Sequence, residues 1–193
     1  MAHQVETMAY AGEVPWHGLG VPVSNDLTPQ QMQQKAGLDW KVEKQDLVTA
    51  SGAKVDGKQA LVRTSDNKVL DVIGKGWNPV QNDEAFDFFS EYVLAGDMEM
   101  NTAGSLRDGN MVWALAKVKD SFTILGEDQV DSYLLFSNPH QYGKAIDVRF
   151  TPIRVVCNNT LSLSLGQQVE KSVSLNHRTQ FNPDSVKETL GIA

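Results

Sequence analysis

The sequence predicts an α+β fold: an antiparallel β-hairpin sheet backed by a helix, a β-β-β-α-like core with an N-terminal α/β extension. Three observations predict it. Residues 98–106 and 111–119 are long strand-like runs on either side of Arg107-Asp108-Gly109-Asn110, a hairpin turn with Asp-Gly at its tip. Two further strand-like runs, 129–138 and 145–153, are joined by the short link 138–143. Residues 155–165 then change period, with Val156, Asn159, Thr160 and Leu163 at i, i+3, i+4 and i+7 and Gly166 as the stop. Hairpin links make the sheet antiparallel, and one helix suffices to cover a face. The chain reads as a single domain, 1–193. Residues 1–97 supply N-terminal strands and two helices, 98–181 the hairpin sheet and helix, and 182–193 the start of a final helix.

Residues 1–27 are punctuated by Gly and Pro without sustained periodicity. Within them, Pro15-Trp16-His17-Gly18-Leu19-Gly20 reads as a tight turn whose Trp16 plugs a core edge; the alternative is that Trp16 and His17 stack on a base or a partner. Thr28, Pro29, Gln31 and Gly37 punctuate a short helix: N-cap, first-turn proline, capping-box partner and stop. Strands follow at 40–48, 60–63 and 69–73, with turns at 52–57 and 65–68. Asn82 reads as the N-cap of a second helix whose apolar stripe is Phe86, Phe89, Val93 and Leu94, ended by Gly96. In 111–118, Val112, Ala114, Ala116 and Val118 face one way, and Met111, Trp113, Leu115 and Lys117 the other. Residues 169–177 alternate as a last strand. Asn182-Pro183 opens a helix too short to be stable alone, so the chain reads as a fragment.

Composition narrows the function. The 193 residues are 41 % hydrophobic and 21 % charged, as in a globular protein. No run is long and apolar enough to span a bilayer, and no secretory signal precedes the first strands, so no membrane is expected. A single cysteine allows no internal disulfide and suits a reducing cytoplasm. The net charge of −7 is uneven. Residues 1–100 hold 8 basic and 15 acidic side chains, whereas residues 140–182 hold five basic and two acidic.

That basic window centres on residues 149–161. Arg149 and Arg154 sit five apart across Pro152, with Arg154 among Ile153, Val155 and Val156. Burying an unpaired charge is costly, so the two arginines either pair with structural carboxylates or face an anionic ligand. Arg149, on the more open side of Pro152, is expected to be accessible. Lys144, Arg149, Arg154, Arg178 and His177 are candidates for a groove that binds phosphates, with Tyr142 and Phe150 for stacking. Asn158, Lys75 and Arg107 supply further donors. Cationic grooves with aromatic platforms bind single-stranded nucleic acid. Catalytic readings have less to stand on. Cys157 and His177 could form a nucleophile–base pair, but Cys157 lies in an apolar run. Asp131, Asp147 and Glu170 could form a Mg²⁺ nuclease site, but no motif supports one. No phosphate loop, nucleophile elbow, dinucleotide fingerprint or zinc spacing occurs, so no catalytic residue, metal or cofactor is assigned.

Several stretches carry a family resemblance: Met8-Ala9-Tyr10 with residues 15–20, Ala36-Gly37-Leu38-Asp39-Trp40, Gly76-Trp77-Asn78-Pro79-Val80-Gln81-Asn82, and Pro152 to Leu161 followed by His177-Arg178. The chain resembles the phage/plasmid-like proteins of a laterally transferred domain-of-unknown-function family (DUF932-like). The resemblance implies a bacteriophage or mobile-element setting. The expected core is also similar to that of Rad52-like single-strand annealing proteins. That similarity implies an oligomeric ring or filament that binds single-stranded DNA and anneals it without ATP, in recombination. The rival expectations are a phage accessory protein that binds a host protein or small nucleotide in counter-defence, and a metal-dependent nuclease.

Overall fold

A computed structural model describes residues 3–120, 122 and 133–193. Its centre is a seven-stranded sheet. In chain order its strands are β1 (Val5–Ala11), β2 (Val21–Val23), β6 (Met98–Leu106), β7 (Met111–Val118), β8 (Tyr133–Pro139), β9 (Ile146–Thr151) and β10 (Ser172–Leu175). Their order across the sheet is β10-β9-β8-β7-β6-β1-β2. Every pairing is antiparallel except β1 with β2. A separate antiparallel sheet holds β3 (Val42–Val48), β4 (Lys54–Arg63) and β5 (Lys68–Gly74). The helices are α1 (Pro29–Lys35), α2 (Asn82–Asp87), α3 (Ser90–Leu94), α4 (Asn158–Gly166) and α5 (Pro183–Leu190).

The expected hairpin sheet with a covering helix is present, and the alternation of β7 sorts its two faces. Val112, Ala114, Ala116 and Val118 join a core with Phe86, Phe88, Phe89, Phe136 and Phe150, closed by α1, α2, α5 and the small sheet. Met111, Trp113 and Leu115 join a second core with Met8, Leu135, Val155, Val156, Cys157 and Leu161, closed by α4. The buried face of α4 is Leu161 and Ser164, and Leu163 is exposed. The helix starts at Asn158 rather than Val155, because Cys157 is still extended (φ −164°, ψ 177°) and caps it.

The first 27 residues differ most from expectation. Instead of an irregular arm they supply β1, which pairs with β6 from Val5↔Leu106 to Tyr10↔Thr102, and then β2. Met8 to Ala11 are buried on both faces, so no polar alternation betrays the strand. The join needs Gly104: a Cβ there would collide with Thr7 O and would lie 2.5 Å from the Trp113 ring. The division expected at residue 97 is therefore crossed by backbone pairing.

Local punctuation is better predicted. Thr28 Oγ1 accepts from Gln31 N–H (3.1 Å) and Gln31 Oε1 from Thr28 N–H (2.9 Å), the expected capping box. Gln81, not Asn82, caps α2. Its N–H donates to Glu84 (2.8 Å), while its side-chain amide pairs with both main-chain groups of Val42. Asn82 is instead buried: its Nδ2 donates to Leu38 O (3.2 Å) and its Oδ1 meets His140 Nε2 (2.8 Å). The expected single helix there is two, α2 and α3, with Leu94 exposed. Strand β4 begins at Lys54, inside the predicted turn 52–57, because residues 54–58 face solvent on both sides and show no period. The expected strand 129–138 is β8 from Tyr133 on; residues 129–132 lie outside the described residues. The final helix, α5, is capped by Asn182 and buries Val186 and Leu190 in the first core, with Tyr92 O–H donating to Ile192 O (2.9 Å). Packing stabilises it where length alone would not.

Candidate nucleic-acid interface

The hairpin between β6 and β7 positions the most prominent cation. Residues Arg107–Gly109 form a 3₁₀ turn in which all three have positive φ (49°, 56°, 95°). Only Gly109 adopts that conformation freely, so the turn is held by bonds: Arg107 N–H to Gln4 O (3.0 Å) and Asn110 N–H to Arg107 O (3.3 Å). Arg107 is exposed, and its Nη1 donates to Asn158 Oδ1 (3.1 Å) at the first position of α4. On its other side Arg107 lines a groove of about 390 Å³ with Leu70, Asp71, Asn110, Gln141 and Lys144. That lies within the range of about 300–1,000 Å³ of small-ligand sites.

Tyr142 stands beside this groove, 58 % exposed. Its N–H donates to Asp71 Oδ2 (2.7 Å), and Lys58 Nζ lies 5.6 Å from its ring centroid. Asp71 is the one acidic side chain lining the groove. Its two oxygens accept from the Val72 and Tyr142 backbone N–H groups, so it serves as a clasp for the 138–143 loop. The predicted residues Arg107, Tyr142, Lys144 and Asn158 thus come together. Lys58 joins them unpredicted. In sequence it is an unassigned lysine between the turn 52–57 and the strand 60–63.

Other candidates lie elsewhere. Arg149, expected on the open side, is 7 % exposed and forms a two-pronged ion pair with Asp147: Nε to Oδ1 at 2.6 Å and Nη2 to Oδ2 at 2.8 Å. Its Nη1 also donates to Ser164 O (2.8 Å) and Gln167 O (3.0 Å), satisfying the last carbonyls of α4. Burial selects this structural partnership and removes Arg149 from the surface. Phe150 is likewise a core residue, because it alternates with Arg149 onto the first face. His177 is buried, stacked on Trp77 at 4.0 Å, with Nδ1 donating to Asn78 O (2.9 Å). Lys75 and Arg178 are exposed around that stack rather than at the groove.

Arg154 is half-buried and differs from Arg149 in its partners. Nε donates to Asn101 Oδ1 (2.8 Å), Nη1 to Glu13 O (2.9 Å) and Nη2 to Ala11 O (2.8 Å). All three acceptors are neutral. Among the described residues, carboxylates pair with Arg63 and Arg149 but not with Arg154 or Arg107. The bonds of Arg154 pin the N-terminal arm across α4. His17 Nε2 adds a bond to Val156 O (2.9 Å). The motif at 15–20 therefore meets the run 154–160, a meeting no spacing in the sequence announces. Trp16 does not plug the core: it is 67 % exposed.

The Cys157–His177 pair is not assembled. Cys157 belongs to the α4-side core, while His177 packs on Trp77 of the other. Burial raises the Cys157 thiol, but hydrogen bonds from Thr160, the backbone of Thr160 and Asn159, and Trp16 outweigh it and leave the thiol below its ordinary value. In the suggested acidic trio, Asp147 spends both oxygens on Arg149, and Asp131 lies outside the described residues. Among the described residues no three His, Cys, Asp or Glu side chains form a metal-holding group, and no helix is long and apolar enough to cross a membrane.

The family model for a domain of unknown function (DUF932) matches residues 69–193, from β5 onward, about two thirds of the chain. The chain belongs to that family. The match takes in the groove and α4, and leaves the motif at 15–20 outside. No curated protein and no solved structure matches significantly.

Proposed function

We propose that this member of the DUF932 family is a phage or mobile-element protein that binds single-stranded DNA in the host cytoplasm and promotes annealing as an oligomer, without ATP. One observation carries the reading. In an acidic chain, an exposed aromatic ring, Tyr142, stands under Lys58 beside a groove lined by Arg107 and Lys144. Guanidinium and ammonium groups suit phosphates, and a free ring face suits any base, so the combination favours single strands over sequence-specific duplex readout. The acidic remainder keeps binding weak and salt-sensitive.

The test is a mobility-shift and annealing assay with a labelled oligonucleotide at low and moderate salt, with and without Mg²⁺. Binding should weaken with salt. Tyr142→Ala should lower affinity roughly tenfold or more, given about 1–3 kcal/mol per stacked base. The double variant Arg107→Ala/Lys144→Ala should lower the salt slope by about 0.7 for each phosphate that is no longer neutralised. Unchanged binding in both variants rejects the groove. Cleavage only with Mg²⁺ supports a nuclease. Binding of a mononucleotide but no oligonucleotide, or of neither, moves the reading to an accessory protein for a nucleotide or a host protein.

A further inference from the structure

The motif at residues 15–20 is not used by the groove, yet it is an exposed segment braced at several points. Gly18 N–H donates to Pro15 O (2.9 Å), and Leu19 N–H donates to His17 Nδ1 (3.1 Å). Because Nδ1 accepts there, His17 carries its proton on Nε2 and donates to Val156 O. The Trp16 and His17 rings meet edge-on at 5.3 Å. Just upstream, Arg154 binds the carbonyls of Ala11 and Glu13. A turn fixed at so many points presents its tryptophan to solvent, whereas the chain's other three, Trp40, Trp77 and Trp113, are buried. Val14 and Leu19 in the same segment are exposed as well, so the ring does not stand as an isolated surface hydrophobe.

Charge indicates what covers it. Trp16 packs on His17, whose Nε2 donates to Val156 O one residue before the cap of α4, and Asn158 just after that cap takes the guanidinium of Arg107. Arg107 and Arg154 flank this end of α4, and both direct their side-chain hydrogen bonds to neutral oxygens, so neither charge is cancelled by a carboxylate among the described residues. A flat apolar ring mounted at the same end of α4 as two uncancelled guanidinium groups is complementary to a base with its phosphates, and Arg107 is shared with the groove beside Tyr142.

We infer that Trp16 is a second base-stacking platform and that a single strand runs from Tyr142 past Arg107 to the N-terminal end of α4. This rests on the single-strand reading above. Since the other tryptophans are buried, oligonucleotide quenching of the intrinsic tryptophan emission reports on Trp16. Titration of the wild-type chain with an unlabelled oligonucleotide should quench the solvent-exposed part of the emission. In Trp16→Ala the quench should vanish and affinity fall about tenfold, with the circular-dichroism spectrum and melting temperature unchanged. A short oligonucleotide that spans one platform should lose less affinity in Trp16→Ala than a long one. Binding that persists at full affinity in Trp16→Ala, or a quench that survives there, overturns the second platform and leaves the groove reading standing. No binding by the wild-type chain overturns both.

Discussion

The two faces of the central sheet are closed by different means. The first carries an aromatic core under several elements, Phe86, Phe88, Phe89 and Phe136 among them; beside the neutral His140, His177 and Asn82 it buries one charge, Arg63, over Trp40 and paired with Glu6 and Asp66. The second is covered mainly by α4, and guanidinium groups hold it at both ends, Arg149 at the C-terminal end and Arg107 with Arg154 at the N-terminal end. The difference separates packing from charge pairing. Apolar area is non-directional and needs no charge. A helix tied by charges can have one end neutralised, as by Asp147, and the other left cationic towards solvent. The first face is held chiefly by packed area; the second is held also by charges, which have a direction.

The largest test of this contrast is Arg149→Ala. It strands the Asp147 carboxylate in a buried site and frees two carbonyls of α4, so stability should fall by about 3–5 kcal/mol in urea unfolding. Phe136→Ala on the first face should cost a similar amount, about 3–5 kcal/mol. The double variant Asp147→Asn/Arg149→Met should recover much of the Arg149→Ala loss; failure to recover would mean that the carbonyl bonds, not the ion pair, matter.

The first face should respond to pH. Burial, with the neighbouring His177, pushes His140 down from an ordinary 6.5 to about 3, and burial lowers His177 in the same direction. The unfolded chain then binds more protons below pH 6.5, so stability is present above that value and drains as pH falls towards 3. For His140 alone the loss at pH 5 is about 2 kcal/mol, at roughly 1.4 kcal/mol per pH unit. Urea midpoints measured from pH 7.5 to 4.5 would show it. His140→Gln should flatten the profile; an unaltered slope would place the effect elsewhere.

Arg154→Ala should have a smaller and more local effect. Three bonds to the arm and Asn101 are lost without stranding a carboxylate, so about 1–2 kcal/mol is expected. Amide exchange should speed up in residues 11–17, with little change in β8 or β9; uniform acceleration would make Arg154 a global rather than a local tie. Smallest of all, Lys144→Ala should shift stability by less than about 0.5 kcal/mol.

How much of this was legible in the sequence depends on how local the cause is. The β6–β7 hairpin, the α1 capping box and the alternation of β7 follow from short-range rules, and the structure has them. The strand β1 was hidden because its second half is buried on both faces. In sequence Arg149 reads as the more accessible of the two arginines, yet it is the one that is buried, and Arg154 is half-buried. What separates them is which oxygens lie across the fold: Asp147 two residues away for one, backbone carbonyls more than 140 residues distant for the other. Arg107, Lys144 and Tyr142 stand out in the sequence by charge and ring chemistry, but their convergence, and the arrival of Lys58, come from tertiary placement of the small sheet.

The outer strand β2 has a consequence for self-assembly. It is three residues long and lies at one border of the seven-stranded sheet, with Pro22 at its middle. A proline has no N–H to offer, and so short a border gives an incoming chain almost nothing to pair with. The opposite border, β10, is Ser172-Val173-Ser174-Leu175 and retains all its amides. Growth by strand addition is thus open on one side of this sheet and shut on the other. Two copies joined through β10 would close on each other about a two-fold axis and stop there, without propagating. A ring or filament of this chain cannot then propagate by strand addition to this sheet.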